Sequence, residues 1–209
     1  MKVHTIVVGA FAVNCHIVSC DRGRAMVIDP GDDAARIADA IRQQELQVVA
    51  YLITHGHMDH ISALAELAAL FPAPIGIHPK DAEWAFDSSN TMPPYDDAPA
   101  RAVSLEHALT DNEVWAQLGT ECRVLATPGH SPGGVCFHFP EAGMIFTGDT
   151  LFAGSVGRTD LLGGDDALLS QSLKRLASLP GHTVIFPGHG PKSTIAQEKK
   201  TNPFLVHVA

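Results

Sequence analysis

Apolar positions along the chain change their period from two to between three and four and back again, a pattern that predicts helices laid on sheets. The opening, MKVHTIVVGAFAVNCHIVSC, carries a short apolar run broken by His4 and Thr5 and continues through strand-like CHIVSC and AMVIDPG. It therefore reads as an antiparallel β opening and not as a secretory leader. Further strands are predicted over 48–53, 75–78, 123–126, 135–139, 144–147 and 183–186. Between them, Ala34, Ile37, Ala38 and Ile41 share one helical face after the turn DPGDD, and Ile61, Leu64, Ala65 and Ala68 share another. Leu169, Ser172, Leu173 and Leu176 repeat the spacing before the last predicted strand. Helices alternating with strands point to an α/β layered fold, because each apolar face needs a partner layer. Residues 87–100, DSSNTMPPYDDAPA, predict a long surface loop, either a lid or a passive excursion.

Composition narrows the class. With 209 residues and 45% hydrophobic content, the chain can bury a sizeable core as a single domain spanning 1–209. A formal charge of -9 argues against broad binding to nucleic acid or anionic membrane, since neither polyanion gains affinity from an acidic surface. No run approaches the roughly 18 apolar residues of a membrane span, so a cytoplasmic protein is expected. Cys15, Cys20, Cys122 and Cys136 lack zinc-ribbon spacing and are expected as buried, reduced thiols.

Candidate chemistry gathers at strand ends. YLITHGHMDHISAL puts His55, His57, Asp59 and His60 just past an apolar run; CRVLATPGH ends in His130, AGMIFTGDT carries Asp149, and HTVIFPGHG delivers His189. Loops beyond strand ends are held by a rigid scaffold, which is where chemistry is usually placed. Gly56, Gly129, Gly148 and Gly188 each precede one of these donors and permit tight turns. A closed structural zinc site needs four ligands, so seven donors without a thiolate suggest two metals with open positions. Imidazole and carboxylate suit zinc, iron or manganese.

The set His55-Gly-His57-Met-Asp59-His60, followed by His130, Asp149 and His189, resembles the signature of the metallo-β-lactamase-fold hydrolases, His-x-His-x-Asp-His with a distant His, Asp and His. The resemblance covers most of the chain. It implies a four-layer αββα sandwich of two mixed sheets with a dinuclear site, zinc foremost, along one edge. By that resemblance His55, His57 and His130 hold the first ion, Asp59, His60 and His189 the second, and Asp149 bridges them. Within the family, GDTLFAGSVGRTDLLGGD and the ending PGHGPKSTIAQEKKTNPFL look like small glyoxalase II-type hydrolases, which cleave S-lactoylglutathione. Arg158 falls where that family uses a lysine against the glutathione carboxylate, with a structural ion pair to Asp160 or Asp165 as the alternative; Asp160 stands in place of the family's tyrosine, and its C-terminal helical extension is not expected here.

Chemistry argues the same way without the family. Two divalent ions bring a shared water toward a pKa of roughly 7, so a bridging hydroxide replaces a serine or cysteine nucleophile. Asp59 and Asp149 are the carboxylates expected to serve it. A thioester suits such a site because a thiol of pKa about 8.5 leaves with little acid assistance. Lactones, phosphodiesters and β-lactams are handled by relatives with the same ligands. A competing reading is a mononuclear-iron persulfide dioxygenase of this fold, with His55, His130 and Asp149 as the two-histidine, one-carboxylate set; a further one is a metal-binding protein without turnover. His4, His16, His78, His107, His138, His182 and His207 lack the spacing and are assigned no role in the site. Asn14 is noted beside the first hairpin, where family members often carry Asn, and Trp84, Phe86, Met92 and Tyr95 are assigned first to packing, with the lining of a substrate mouth as the alternative.

Overall fold

A computed structural model describes residues 1–102 and 106–206. Among them the strands form two six-stranded mixed sheets. The first runs in chain order through β1 (Lys2–Val8), β2 (Val13–Ser19), β3 (Arg24–Ile28), β4 (Gln47–Leu52), β5 (Ile75–Ile77) and β6 (Glu106–Ala108), antiparallel to β3 and parallel beyond it. The second contains β7 (Val114–Trp115), β8 (Cys122–Ala126), β9 (Val135–Phe139) and β10 (Met144–Gly148). A small ribbon of β11 (Leu151–Phe152) and β12 (Ser155–Val156) follows. The chain then returns through β13 (Val184–Pro187), parallel to β10, and β14 (Ser193–Thr194).

Along the chain the helices are α1 (Ala34–Gln43), α2 (Met58–Ile61), α3 (Leu64–Leu70), α4 (Pro79–Ala82), α5 (Asp166–Ala177) and α6 (Ile195–Thr201). Successive strand side chains face opposite ways, and that alternation sorts them into three cores. Ala25 and Val27 of β3 meet Ile37, Ile41, Leu64 and Leu67 of α1 and α3, whereas Met26 and Ile28 turn to the space between the sheets. There they join Val135, Phe137 and Phe139 of β9 and Phe146 of β10. Cys136 and Ile145 face the other way, onto Leu169, Leu173 and Leu176 of α5 and Ile195 of α6. Helices, sheet, sheet, helices: the four-layer αββα sandwich is the observed architecture.

Departures from the predicted elements are local. The strand at 75–78 stops at Ile77, because His78 caps α4 by accepting from the Lys80 backbone N–H and Pro79 occupies the first helical position. The helical pattern at 61–68 is divided between α2 and α3, with Leu67 buried and Ala65 only half-buried. The strand predicted at 183–186 is not the last element, since β14 and α6 follow it. Within α6 only Ile195 and Glu198 are buried, so no apolar period marked it. Residues 87–100 contain no helix or strand and are mostly exposed. Two side chains tie them down: Asn90 donates to the Gly56 and Ala85 carbonyls, and the Tyr95 hydroxyl donates to Asp32. All four cysteines are unpaired thiols, with Cys20 half-buried where burial was expected. Among the described residues no helix is long and apolar enough to cross a membrane.

Candidate metal centre

Four strand-end loops arrive at one edge of the sandwich. His55 lies beyond β4, His130 beyond β8, Asp149 directly after β10 and His189 two residues after β13; α2 supplies Asp59 and His60, with His57 at its N-cap. The donor atoms fall into overlapping groups: His55, His57 and His130; His55, His60 and Asp149; and Asp59, His60 and His189, each within 4.8 Å. Asp149 stands where the groups meet. Its Oδ1 is 3.4 Å from His60 Nε2, and its Oδ2 is 3.5 Å from His189 Nε2 and 3.6 Å from His130 Nε2. His189 Nε2 is also 3.5 Å from Asp59 Oδ2.

These spacings fit a metal. Donors placed 2.0–2.1 Å from a tetrahedral ion are about 3.3–3.4 Å apart. The buried Nε2 of His55 and Oδ1 of Asp149 have no hydrogen-bond partner. An unsatisfied buried polar atom costs on the order of 1–3 kcal/mol, which a shared cation would relieve.

The scaffold aims each ring. His60 Nδ1 lies 3.0 Å from Asp29 Oδ2, His130 Nδ1 donates to the Arg158 carbonyl at 2.7 Å, and His189 Nδ1 donates to the Phe11 carbonyl at 3.0 Å. His55 Nδ1 is 3.0 Å from the Thr54 hydroxyl. Each of these rings is thus anchored through Nδ1 and turns Nε2 inward, the arrangement by which outer partners fix tautomer and orientation. Gly188 permits the close approach, since a Cβ there would meet Asp149 Oδ1 at 2.3 Å.

Electrostatics divides the imidazoles. Burial, then the neighbouring rings, pushes His55 well below its usual range and His57 down to about 4. Both are neutral and ready to ligate near pH 7. Burial also disfavours charge on His60 and His189, but the Asp149 and Asp59 carboxylates outweigh it and raise both. The same contacts, chiefly with His60, overcome burial and hold Asp59 and Asp149 below the usual carboxylate range.

Two buried aspartates escaped the sequence reading. Asp29 follows β3 in VIDPG, the same strand-end placement as the other donors, and holds both His60 and Thr54. Asp81 carried no local signal. It accepts from Gly56 N at 2.9 Å, Ser131 Oγ at 2.7 Å and Gly133 N at 2.6 Å, joining the His55–His57 loop to the His130 loop. Asn14 secures the third loop by donating to the Pro187 and Gly190 carbonyls on either side of His189. Among the described residues none of His4, His16, His78, His107, His138 and His182 joins the cluster, and His207 lies outside them.

A cavity of about 640 Å³ opens over the donors. Trp84 and Met92, assigned to packing from the sequence, line it, whereas Phe86 packs under Arg101 and Tyr95 latches the loop to Asp32. Arg158 also lines it and is paired with Asp160, its Nη2 2.7 Å from Oδ2, while Asp165 instead caps α5. Asp29→Asn keeps the shape and tolerates the left-handed backbone at φ 50°, but removes the carboxylate charge from His60. It is expected to weaken metal binding roughly tenfold in competition with a chromophoric chelator; unchanged affinity would show that Asp29 does not tune the centre.

An αββα sandwich with a convergent histidine and aspartate cluster at the ends of its strands defines a scaffold for binding metal. The metallo-beta-lactamase superfamily matches residues 8–189, and the chain belongs to that superfamily. It is 34% identical over 208 residues to the Bacillus subtilis protein called probable metallo-hydrolase YqgX, covering 98% of both chains. It is 37% identical over 214 residues to the hydroxyacylglutathione hydrolase GloC of Haemophilus influenzae, again covering 98% of each. The crystal structure of TTHA1623 in a di-iron-bound form superposes with a TM-score of 0.88 at 37% identity, covering 97% of this chain and all of that one.

Proposed function

We propose that the protein hydrolyses a small-molecule thioester, glutathione-linked as in S-lactoylglutathione, at a dinuclear centre. His55, His57 and His130 would hold one divalent ion, Asp59, His60 and His189 the other, with Asp149 shared. The observation that carries this reading is the buried, unpartnered Asp149 Oδ1 standing between two donor triads beneath an open cavity. The likeness to GloC supports the substrate class. Zinc is the first choice of metal, and the di-iron relative supports iron as the second.

Bound ions of this kind acidify water and draw electron density from an acyl oxygen. The chain's own residues do the rest. Asp59 borders the cavity, where its carboxylate would accept a hydrogen bond from the attacking water and hand the released proton on to solvent. A C–O bond forms, the C–S bond breaks, and the sulfur departs as thiolate, which the solvent protonates; no side-chain acid is needed. Arg158 meets a carboxylate of the thiol portion by exchanging its partner Asp160, a trade of one bidentate contact for another.

Elemental analysis beside two assays tests the reading. Two ions per chain with thioester hydrolysis are expected; a single iron with oxygen uptake on glutathione persulfide would replace it with the dioxygenase. Arg158→Ala is expected to raise KM for S-lactoylglutathione roughly tenfold with little change in kcat, and Arg158→Lys to recover part of that loss. If a small neutral thioester suffers equally, the guanidinium is holding its loop through Asp160 and not the substrate.

A further inference from the structure

The cavity has two unlike walls. One comes from α2 and the segment after α4: Met58, Trp84 and Met92, with the Trp84 ring 5.3 Å from the His57 ring. The other comes from the β11–β12 ribbon and the segment following it, with Phe152 6.1 Å from the His189 ring and Val156, Leu161 and Leu162 beside it, and it differs from the first wall in carrying the cation Arg158. Contacts run from Trp84 to His57, from His57 Nδ1 to His130 Nε2 at 2.9 Å, and from His130 Nδ1 to the Arg158 carbonyl at 2.7 Å. The imidazoles therefore stand between the indole and the segment that carries the guanidinium.

Arg158 is the sole lysine or arginine among the residues lining this cavity. A thiol portion bearing carboxylates is drawn to it, and the acyl portion of the same thioester is left to the opposite wall. That wall has little to offer a hydroxyl. The Asn90 Nδ2 donates to the Gly56 and Ala85 carbonyls, and Ser89 and Thr91 are exposed. The Trp84 indole N–H is buried from solvent, so the ring presents carbon to the cavity. Met58 is buried at the floor and Met92, 39% exposed, closes the side; both are flexible thioethers that adapt to an apolar chain. A lactoyl group leaves most of this apolar surface uncovered.

We infer that Met58, Trp84 and Met92 form an acyl subsite that selects thioesters with an apolar acyl chain longer than lactoyl. This rests on the thioester reading above for its placement of the two halves. Each methylene taken out of water is worth about fourfold in affinity.

The test uses the metal-loaded protein and two non-hydrolysable thioethers, S-methylglutathione and S-hexylglutathione, with binding followed by titration calorimetry. The hexyl compound is expected to bind roughly thirtyfold more tightly, as about half of its added methylenes become buried. Met92→Ser, at an exposed position, and Trp84→Ala are each expected to cut that ratio severalfold. A ratio near one, or a ratio that neither variant moves, overturns the inference. Turnover of S-lactoyl-, S-butyryl- and S-hexanoylglutathione separates the two claims. Hydrolysis without chain-length preference leaves the thioester reading standing and removes the acyl subsite; chain-selective binding without hydrolysis does the reverse.

Discussion

Asp149→Ala is expected to lower kcat/KM by on the order of a thousandfold, at or beyond the upper end of what removal of one polar group costs an active site. Asp59→Ala is expected to cost about a hundredfold. The difference follows from position. Asp149 lies against His60, His189 and His130, members of both donor triads, whereas Asp59 touches only His60 and His189 on one side. Loss of Asp149 also removes a carboxylate that faces the buried His60 and holds its pKa up, so the metal loses an anionic donor there while His60 itself protonates less readily. Elemental analysis should find metal depleted in Asp149→Ala and one site retained in Asp59→Ala, with both variants folded by circular dichroism. Equal, small losses at full metal content would remove the shared-carboxylate mechanism.

Gly157→Ala should be the most disruptive single methyl at the site. Gly157 follows β12, and a Cβ on it would lie 1.8 Å from the Asp149 carbonyl oxygen and 3.0 Å from His130 Nδ1. The clash is with backbone, so no rotamer change relieves it, and the ribbon must move away from Asp149. Overpacking of this kind costs about 1–3 kcal/mol, and the upper end is expected here. His130 should lose its bond to the Arg158 carbonyl, since Arg158 is the next residue along the displaced segment. A lowered thermal midpoint together with reduced metal content is the expected result; wild-type values for both would mean that the segment relaxes without disturbing Asp149.

The donors were legible because their cue is local. His55, His130, Asp149 and His189 each close an apolar run, and an apolar run of four to eight residues bounded by glycine marks a buried strand wherever it lies in the chain. Asp29 had the same cue in VIDPG, one carboxylate with no histidine beside it, and only its 3.0 Å approach to His60 identifies its role. Asp81 had none: DAEWAF is an unremarkable polar turn until Gly56, Ser131 and Gly133 are brought around it. Trp84 and Met92 look like packing residues in one dimension, because an apolar side chain carries no mark of whether its neighbour is protein or an open cavity.

What the amino-acid order determined by itself was therefore everything written in periods of two and between three and four: the strands with their two faces, α1 and α5 with their apolar stripes, and the donors at the strand ends. Helix α6 fell outside this, since Glu198 is one of its two buried residues and is held by hydrogen bonds to Gly154, Ser193 and Asn202. Tertiary structure alone decided which loops meet, which carboxylate faces both groups of histidines and which apolar side chains border the cavity. The physical reason is range. Alternation and helical pitch are properties of neighbours in sequence, whereas the meeting of Asp149 with His60 and His189 is set by the parallel pairing of β10 with β13 and by the packing of both sheets across Phe137, Phe139 and Phe146.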